Sequence, residues 1–185
     1  KVVTGRIPPI ALHFNCSTRG VESKLERDGV SYLREAPKPG SSDCYGCSHA
    51  HLLDRRDCAQ GDCKFFIETG TNGGKNMLAM DQPRVFERLF SVELAEHLYM
   101  EGTRLLQGNP RVRLYMGDVL AFLPKMVSDA EAEDPDAGIL FWLDAHFSGG
   151  ETSGKEQVDA PIMRELAIIL NQTRHPERHV LMLDD

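Results

Sequence analysis

The chain has 185 residues, 41% hydrophobic and 26% charged, with a formal net charge of -7. That length suits one domain with its own core, and the composition is that of an ordinary globular protein. The acidic balance, with no sustained basic cluster, disfavours tight nucleic-acid binding through phosphate neutralisation. No apolar run approaches the roughly 18 residues that a membrane span requires.

Residues 1 to about 43 read as an arm or lid punctuated by Pro8-Pro9, Pro37, Pro39 and Gly40, with a short helix expected around Val21 to Arg27. Two glycosylation sequons, Asn15-Cys16-Ser17 and Asn171-Gln172-Thr173, leave a secretory or lumenal location open. A cysteine-rich stretch follows the arm. Cys44 and Cys47 form a C-x2-C pair, and Cys58 and Cys63 a C-x4-C pair, with His49 and His51 between. The grouping predicts a local staple: two disulfides, or a tetrahedral Zn2+ site as the second reading. The arm and this segment together occupy residues 1–63, and a second region runs over 64–185.

From Lys64 the pattern turns regular. Apolar, strand-like runs fall at Phe65–Ile67, Arg88–Val92, Val112–Met116, Ile139–Leu143 and His179–Leu183. Helical stretches lie between them. Ala95–Gln107 carries a leucine stripe, Asp118 looks like the N-cap of Val119–Val127, and Pro161 sits where a first-turn proline would precede Ile162, Leu166 and Ile169. Strands alternating with helices predict βαβ units, hence an α/β fold whose parallel sheet has helices on both faces. Residues 128–136, SDAEAEDPD, are expected to form a solvated acidic loop.

The first of these strands runs into KFFIETGTNGGK, a glycine-rich turn before a helix that resumes near Asn76. Each strand is followed by an acid: Glu68, Glu93, Asp118, Asp144 and the pair Asp184-Asp185. In a parallel sheet these positions share the carboxyl edge, where open α/β sheets bind ligands. Glu93, 25 residues after Glu68, is placed to accept hydrogen bonds from a ribose. Asp118 is placed either to accept from an adenine amino group or to cap its helix. A dinucleotide fingerprint is excluded because Asn72 stands where its second glycine belongs. A phosphate loop is excluded because Thr69 and Asn76 occupy two of its required positions.

The segments FFIETGTNGG, LFSVEL, VRLYMGD, LFWLDAHFSGG and HVLMLDD make residues 64–185, about two thirds of the chain, resemble class I S-adenosylmethionine-dependent methyltransferases. The ETGT variant is similar to a subset of that family in which an LDxHxSGG segment follows. Glu68, Gly70 and Gly74 match the family's first motif, while Asn72 replaces its middle glycine. The resemblance implies a Rossmann-like, doubly wound, mainly parallel sheet of strand order 3-2-1-4-5. It implies S-adenosylmethionine as cofactor, with Glu68, Gly70 and Thr71 around the methionine end, Glu93 at the ribose and Asp118 at the adenine, and with Asn72, Gly74 and Asp144 as further cofactor-binding candidates. The acceptor expected is a small hydroxylated molecule.

Two further expectations concern chemistry. Asp144, Asp184 and Asp185 form a candidate set of hard oxygen ligands for Mg2+ or another divalent cation, similar to that of catechol-type methyltransferases. His146, two residues after Asp144, is a candidate general base, and Asp144 itself a candidate catalytic carboxylate. The glycine- and serine-rich stretch from Phe147 to Gly154 is suited to a lid over the acceptor. A non-catalytic nucleoside-binding domain and a metal-dependent oxidative enzyme on the same scaffold are the alternatives.

The chain ends just after the fifth of these strands, where the family fold would add two more, the last antiparallel. Those C-terminal strands are expected to be absent. The apolar edge at Val180–Leu183 is then expected to be covered by a partner strand, by the arm, or by a second copy in a homo-oligomer.

Overall fold

The computed structural model describes residues 10–14, 32–34, 63–81, 86–145 and 161–183. Seven strands form one sheet: β1 (Ile10–Phe14), β2 (Tyr32–Arg34), β3 (Cys63–Thr69), β4 (Arg88–Glu93), β5 (Val112–Met116), β6 (Gly138–Leu143) and β7 (Val180–Leu183). Their order is β2-β1-β7-β6-β3-β4-β5, and every neighbouring pair is parallel. The five strands read from the sequence therefore lie in the order 3-2-1-4-5, in a Rossmann-like α/β fold. The chain runs from β3 outward through β4 and β5, then returns to β6 on the other side of β3. That reversal makes a crevice at the carboxyl ends of β3 and β6.

Four α-helices are described: α1 (Lys75–Met80), α2 (Glu96–Leu105), α3 (Val119–Glu133) and α4 (Ile162–Gln172). Strands buried on both faces must be apolar at every position, which is why FFI, ILFWL and VLML read as unbroken runs. Alternate side chains divide between two cores. Phe65, Ile67, Phe90, Phe141 and Leu181 pack with Leu123, Met126, Leu166 and Ile169 of α3 and α4. Phe66, Leu89, Leu140, Trp142 and Met182 pack with Met77 and Met80 of α1 and with Leu106.

One expectation needs correction. The stretch 128–136 is not a solvated loop, because α3 continues through it to Glu133. Ala130 is fully buried against the sheet. The acids around it are tied to neighbouring elements: Asp129 accepts from the Tyr115 hydroxyl at 2.6 Å, and Glu133 from Arg88 Nε at 2.9 Å and Arg113 at 3.0 Å. Paired acids on good helix formers extend a helix that unpaired ones would fray.

At the sheet edge, the arm is the one of the three expected covers that the fold supplies: β1 pairs with Val180–Leu183 in register from Ala11↔Val180 to Phe14↔Leu183. Beyond β1 lies β2. The arm thus supplies two strands beside β7, both parallel. The expected helix at Val21 to Arg27 lies outside the described residues.

Candidate functional site

The turn after β3 is held at three points. Gly70 N donates to Val92 O of β4 at 3.0 Å, and Gly74 N closes back on Thr71 O at 2.8 Å. The Asn72 N–H donates to Glu93 Oε2 at 2.9 Å. Gly70 has φ +88°, and a Cβ there would stand 2.7 Å from the Asp144 carbonyl oxygen. Gly74 packs as tightly on α2, where a Cβ would meet Gly102 Cα at 3.0 Å. Asn72, at φ 41°, is the non-glycine residue with positive φ among the described residues. Asparagine tolerates that region better than most side chains, so the turn keeps a left-handed backbone here without a glycine.

Register brings the polar groups together. Glu68 pairs with Ser91 on one side and with Trp142 on the other. Its carboxylate is buried, with Oε2 accepting from Ser91 Oγ at 2.7 Å and Oε1 from Asn76 Nδ2 at 2.6 Å. Ser91 Oγ is also 2.7 Å from Thr71 Oγ1. Because the serine proton goes to the carboxylate, the threonine must donate in that pair. Glu93 is buried as well, and its second oxygen accepts from Ala95 N at 2.9 Å. Asp118 caps α3, with Oδ1 accepting from Leu120 N at 2.6 Å. Asp118→Ala should therefore cost about 1 kcal/mol in denaturant unfolding, as loss of an N-cap does; no change would mean that the cap bond adds nothing to stability.

A cavity of about 350 Å3 opens at the crevice. Five residues singled out in the sequence line it: Glu68, Gly70, Thr71, Asn72 and Asp144. Lys75, Asn76 and Ala79, on the first turns of α1, complete the lining and were missed. Their signal was the reading frame of the helix itself, whose first residues face back toward the strand that precedes it. Gly74, Glu93 and Asp118 do not line this cavity. Asp144 N is held by the Thr69 carbonyl at 3.1 Å and by the Thr69 hydroxyl at 3.2 Å, which fixes the end of β6 against the end of β3.

Glu165 was also missed. It lies in the first turn of α4 and is 1% exposed, and its Oε1 has no hydrogen-bond partner. Burial pushes its carboxyl up to about 7; the Thr69 hydroxyl offsets part of that rise, and the nearby Asp144 charge adds to it. A helical wheel offers the signal, because an acid three residues after Ile162 and four before Ile169 falls on the apolar stripe. His179, immediately before β7, is a second buried and displaced group. Burial lowers its imidazole to about 4, and Nδ1 accepts from Ile139 N at 3.2 Å, a bond that the protonated ring cannot keep.

His146, Asp184, Asp185, Cys44, Cys47 and Cys58 lie outside the described residues. Cys63 is disulfide-bonded, and every other cysteine of the chain lies outside the described residues too. Among the described residues no group of three histidine, cysteine or acidic side chains is placed to hold a metal ion, and none of their helices is long and apolar enough to cross a membrane.

No family profile matches the chain, and no curated protein matches it. Among solved structures it is similar to the O-methyltransferase TomG from Streptomyces achromogenes, described as involved in tomaymycin synthesis and in complex with SAM. Identity is 20% and the TM-score 0.40, over 54% of this chain and 43% of that one. The chain thus spans less than half the length of that protein, and a likeness of this size carries no inference about chemistry.

Proposed function

We propose that the protein binds S-adenosylmethionine at the crevice between β3 and β6 and transfers its methyl group to a small hydroxylated acceptor. The observation that carries this reading is the cavity at the carboxyl edge, where the chain reverses direction and where Glu68, Gly70, Thr71, Asn72 and Asp144 converge. Glu93, at the end of the adjacent strand, is assigned to the ribose in this reading.

In the reaction, the acceptor oxygen attacks the sulfonium methyl carbon as the carbon–sulfur bond breaks. The acceptor proton is released, and S-adenosylhomocysteine remains. The protein's contribution is alignment and removal of that proton. Asp144, which lines the cavity, is assigned to this end, and His146, two residues on in the sequence, is the candidate general base.

The test is thermal unfolding with S-adenosylhomocysteine, followed by transfer of labelled methyl to a panel of hydroxylated acceptors. At a ligand concentration one hundred times Kd, binding adds about 2.7 kcal/mol of stability, which raises Tm by several degrees. An unchanged Tm at millimolar ligand would sink the cofactor assignment. A raised Tm with no transfer to any acceptor would leave a binding domain without the activity.

A further inference from the structure

The last turn of α4 presents Asn171 to solvent, at the first position of the sequon Asn171-Gln172-Thr173. Its Nδ2 donates to the Ala167 carbonyl at 2.6 Å, and that nitrogen carries a second N–H which this bond does not use. The helix begins at the carboxyl edge, where Glu165 senses Thr69 and Asp144. Just past Asn171 the chain is tied to the opposite edge of the sheet. Arg174 N donates to Glu131 Oε1 in the last turn of α3 at 2.7 Å, and His179 accepts from Ile139 N near the start of β6. At 1.5 Å per residue, about 9 Å of helix separates Asn171 from Glu165. A group attached at Asn171 therefore stands clear of the cavity.

A second observation bears on the same residue from elsewhere in the chain. Cys63 is disulfide-bonded, and four of the five cysteines fall within residues 44–63. Disulfides form and persist in oxidising compartments, and the secretory route is where sequons are glycosylated. The compartment that the bonded cysteine requires is thus the one in which an exposed sequon is used.

We propose that Asn171 is an N-glycosylation site, with a lipid-diphosphate-linked oligosaccharide as donor. Asn171 Nδ2 forms a bond to the anomeric carbon of the first N-acetylglucosamine as the bond from that carbon to the diphosphate oxygen breaks. The lipid diphosphate leaves, and the amide gives up one proton. The N–H that remains on Nδ2 keeps a donor for the Ala167 carbonyl. Transfer precedes completion of α4, because the Thr173 hydroxyl that the sequon requires donates to Ile169 O at 2.8 Å in the folded chain, and Thr173 is buried there. None of this depends on what the cavity binds.

The experiment maps the full chain purified from its natural source. Trypsin cuts after Arg164 and Arg174, so Asn171 falls in a peptide of residues 165–174 in which it is the sole asparagine; Asn15, of the other sequon, falls in residues 7–19. N-glycans are removed by an amidase in heavy-oxygen water, and a parallel digest without the amidase corrects for spontaneous deamidation. Residue 171 should be read as aspartate carrying the heavy oxygen, and the bare peptide should be scarce before amidase treatment. Cys63 should resist alkylation until the protein is reduced. In a secretory expression host, Asn171→Gln should run one glycan smaller than wild type.

Recovery of the bare asparagine peptide as the main form from the natural source overturns the proposal, a result that needs no variant to fold. A freely alkylated Cys63 overturns it as well, since the chain would then reside in a reducing compartment. Equal mobility of Asn171→Gln and wild type in the secretory host does the same.

Discussion

Replacing Glu165 with glutamine is expected to remove a pH dependence of stability of about 3 kcal/mol between pH 4 and pH 8. The wild-type carboxyl is displaced from 4.5 to about 7, chiefly by burial in the first turn of α4. Between those values the folded state keeps a proton that the unfolded state has released. Stability from this group is therefore complete below pH 4.5, falls as pH rises toward 7, and is flat beyond. His179 acts in the opposite direction: its folded value is about 4 against 6.5. The unfolded chain takes up a proton there that the folded one refuses, so stability falls as pH drops through that window. In wild type the two slopes oppose each other between about pH 4.5 and 6.5. In Glu165→Gln the His179 slope stands alone, so the variant should gain on wild type as pH rises. Urea unfolding at intervals from pH 4 to 8 measures the difference, in which all other groups cancel. Parallel stability curves for the two proteins would sink the assignment.

What the sequence disclosed is what local pattern encodes. Unbroken apolar runs marked β3 to β7, and the acid after each run marked the carboxyl edge, because both follow from the burial of a parallel sheet. The capping role of Asp118 was equally local. What it withheld depends on partners distant in the chain. Nothing in SDAEAEDPD says that Arg88, Arg113 and Tyr115 stand ready to pair its acids, so a helix read as a loop. The strands in the arm are three to five residues long and carry no pattern apart from the edge they cover. Asn76 was visible as the start of a helix and as a residue excluding a phosphate loop; its bond to Glu68 comes from β3–β4 register, which puts Ser91 on one oxygen of Glu68 and leaves the other to the asparagine. Glu165 broke an apolar stripe and could have been noticed, but only the fold shows that Thr69 and Asp144 surround it.

The turn after β3 yields the other large expected effect. Gly70→Ala should destabilise the protein by roughly 3 kcal/mol or more, through two additive causes. A side chain at φ +88° is strained whatever the space around it, and the new Cβ would stand 2.7 Å from the Asp144 carbonyl oxygen. That oxygen is backbone at the end of β6, one residue beyond the Thr69↔Leu143 pair, so it can retreat only if β6 separates from β3. The two hydrogen bonds from Asp144 N to Thr69 would stretch with it. Asn72→Gly provides the contrast, since glycine takes φ 41° without strain and the Glu93 bond uses the backbone N–H. Its stability should stay within about 1 kcal/mol of wild type, the cost of glycine's extra unfolded-state freedom. Chemical denaturation of both variants decides the matter; a Gly70→Ala protein within about 0.5 kcal/mol of wild type would show that the strand ends are not locked together here. If they are locked, the same substitution displaces Asp144 from the cavity wall, and ligand affinity should fall along with stability. In that case glycine at this position is required less for bending the chain than for letting two strand ends meet at the cavity wall.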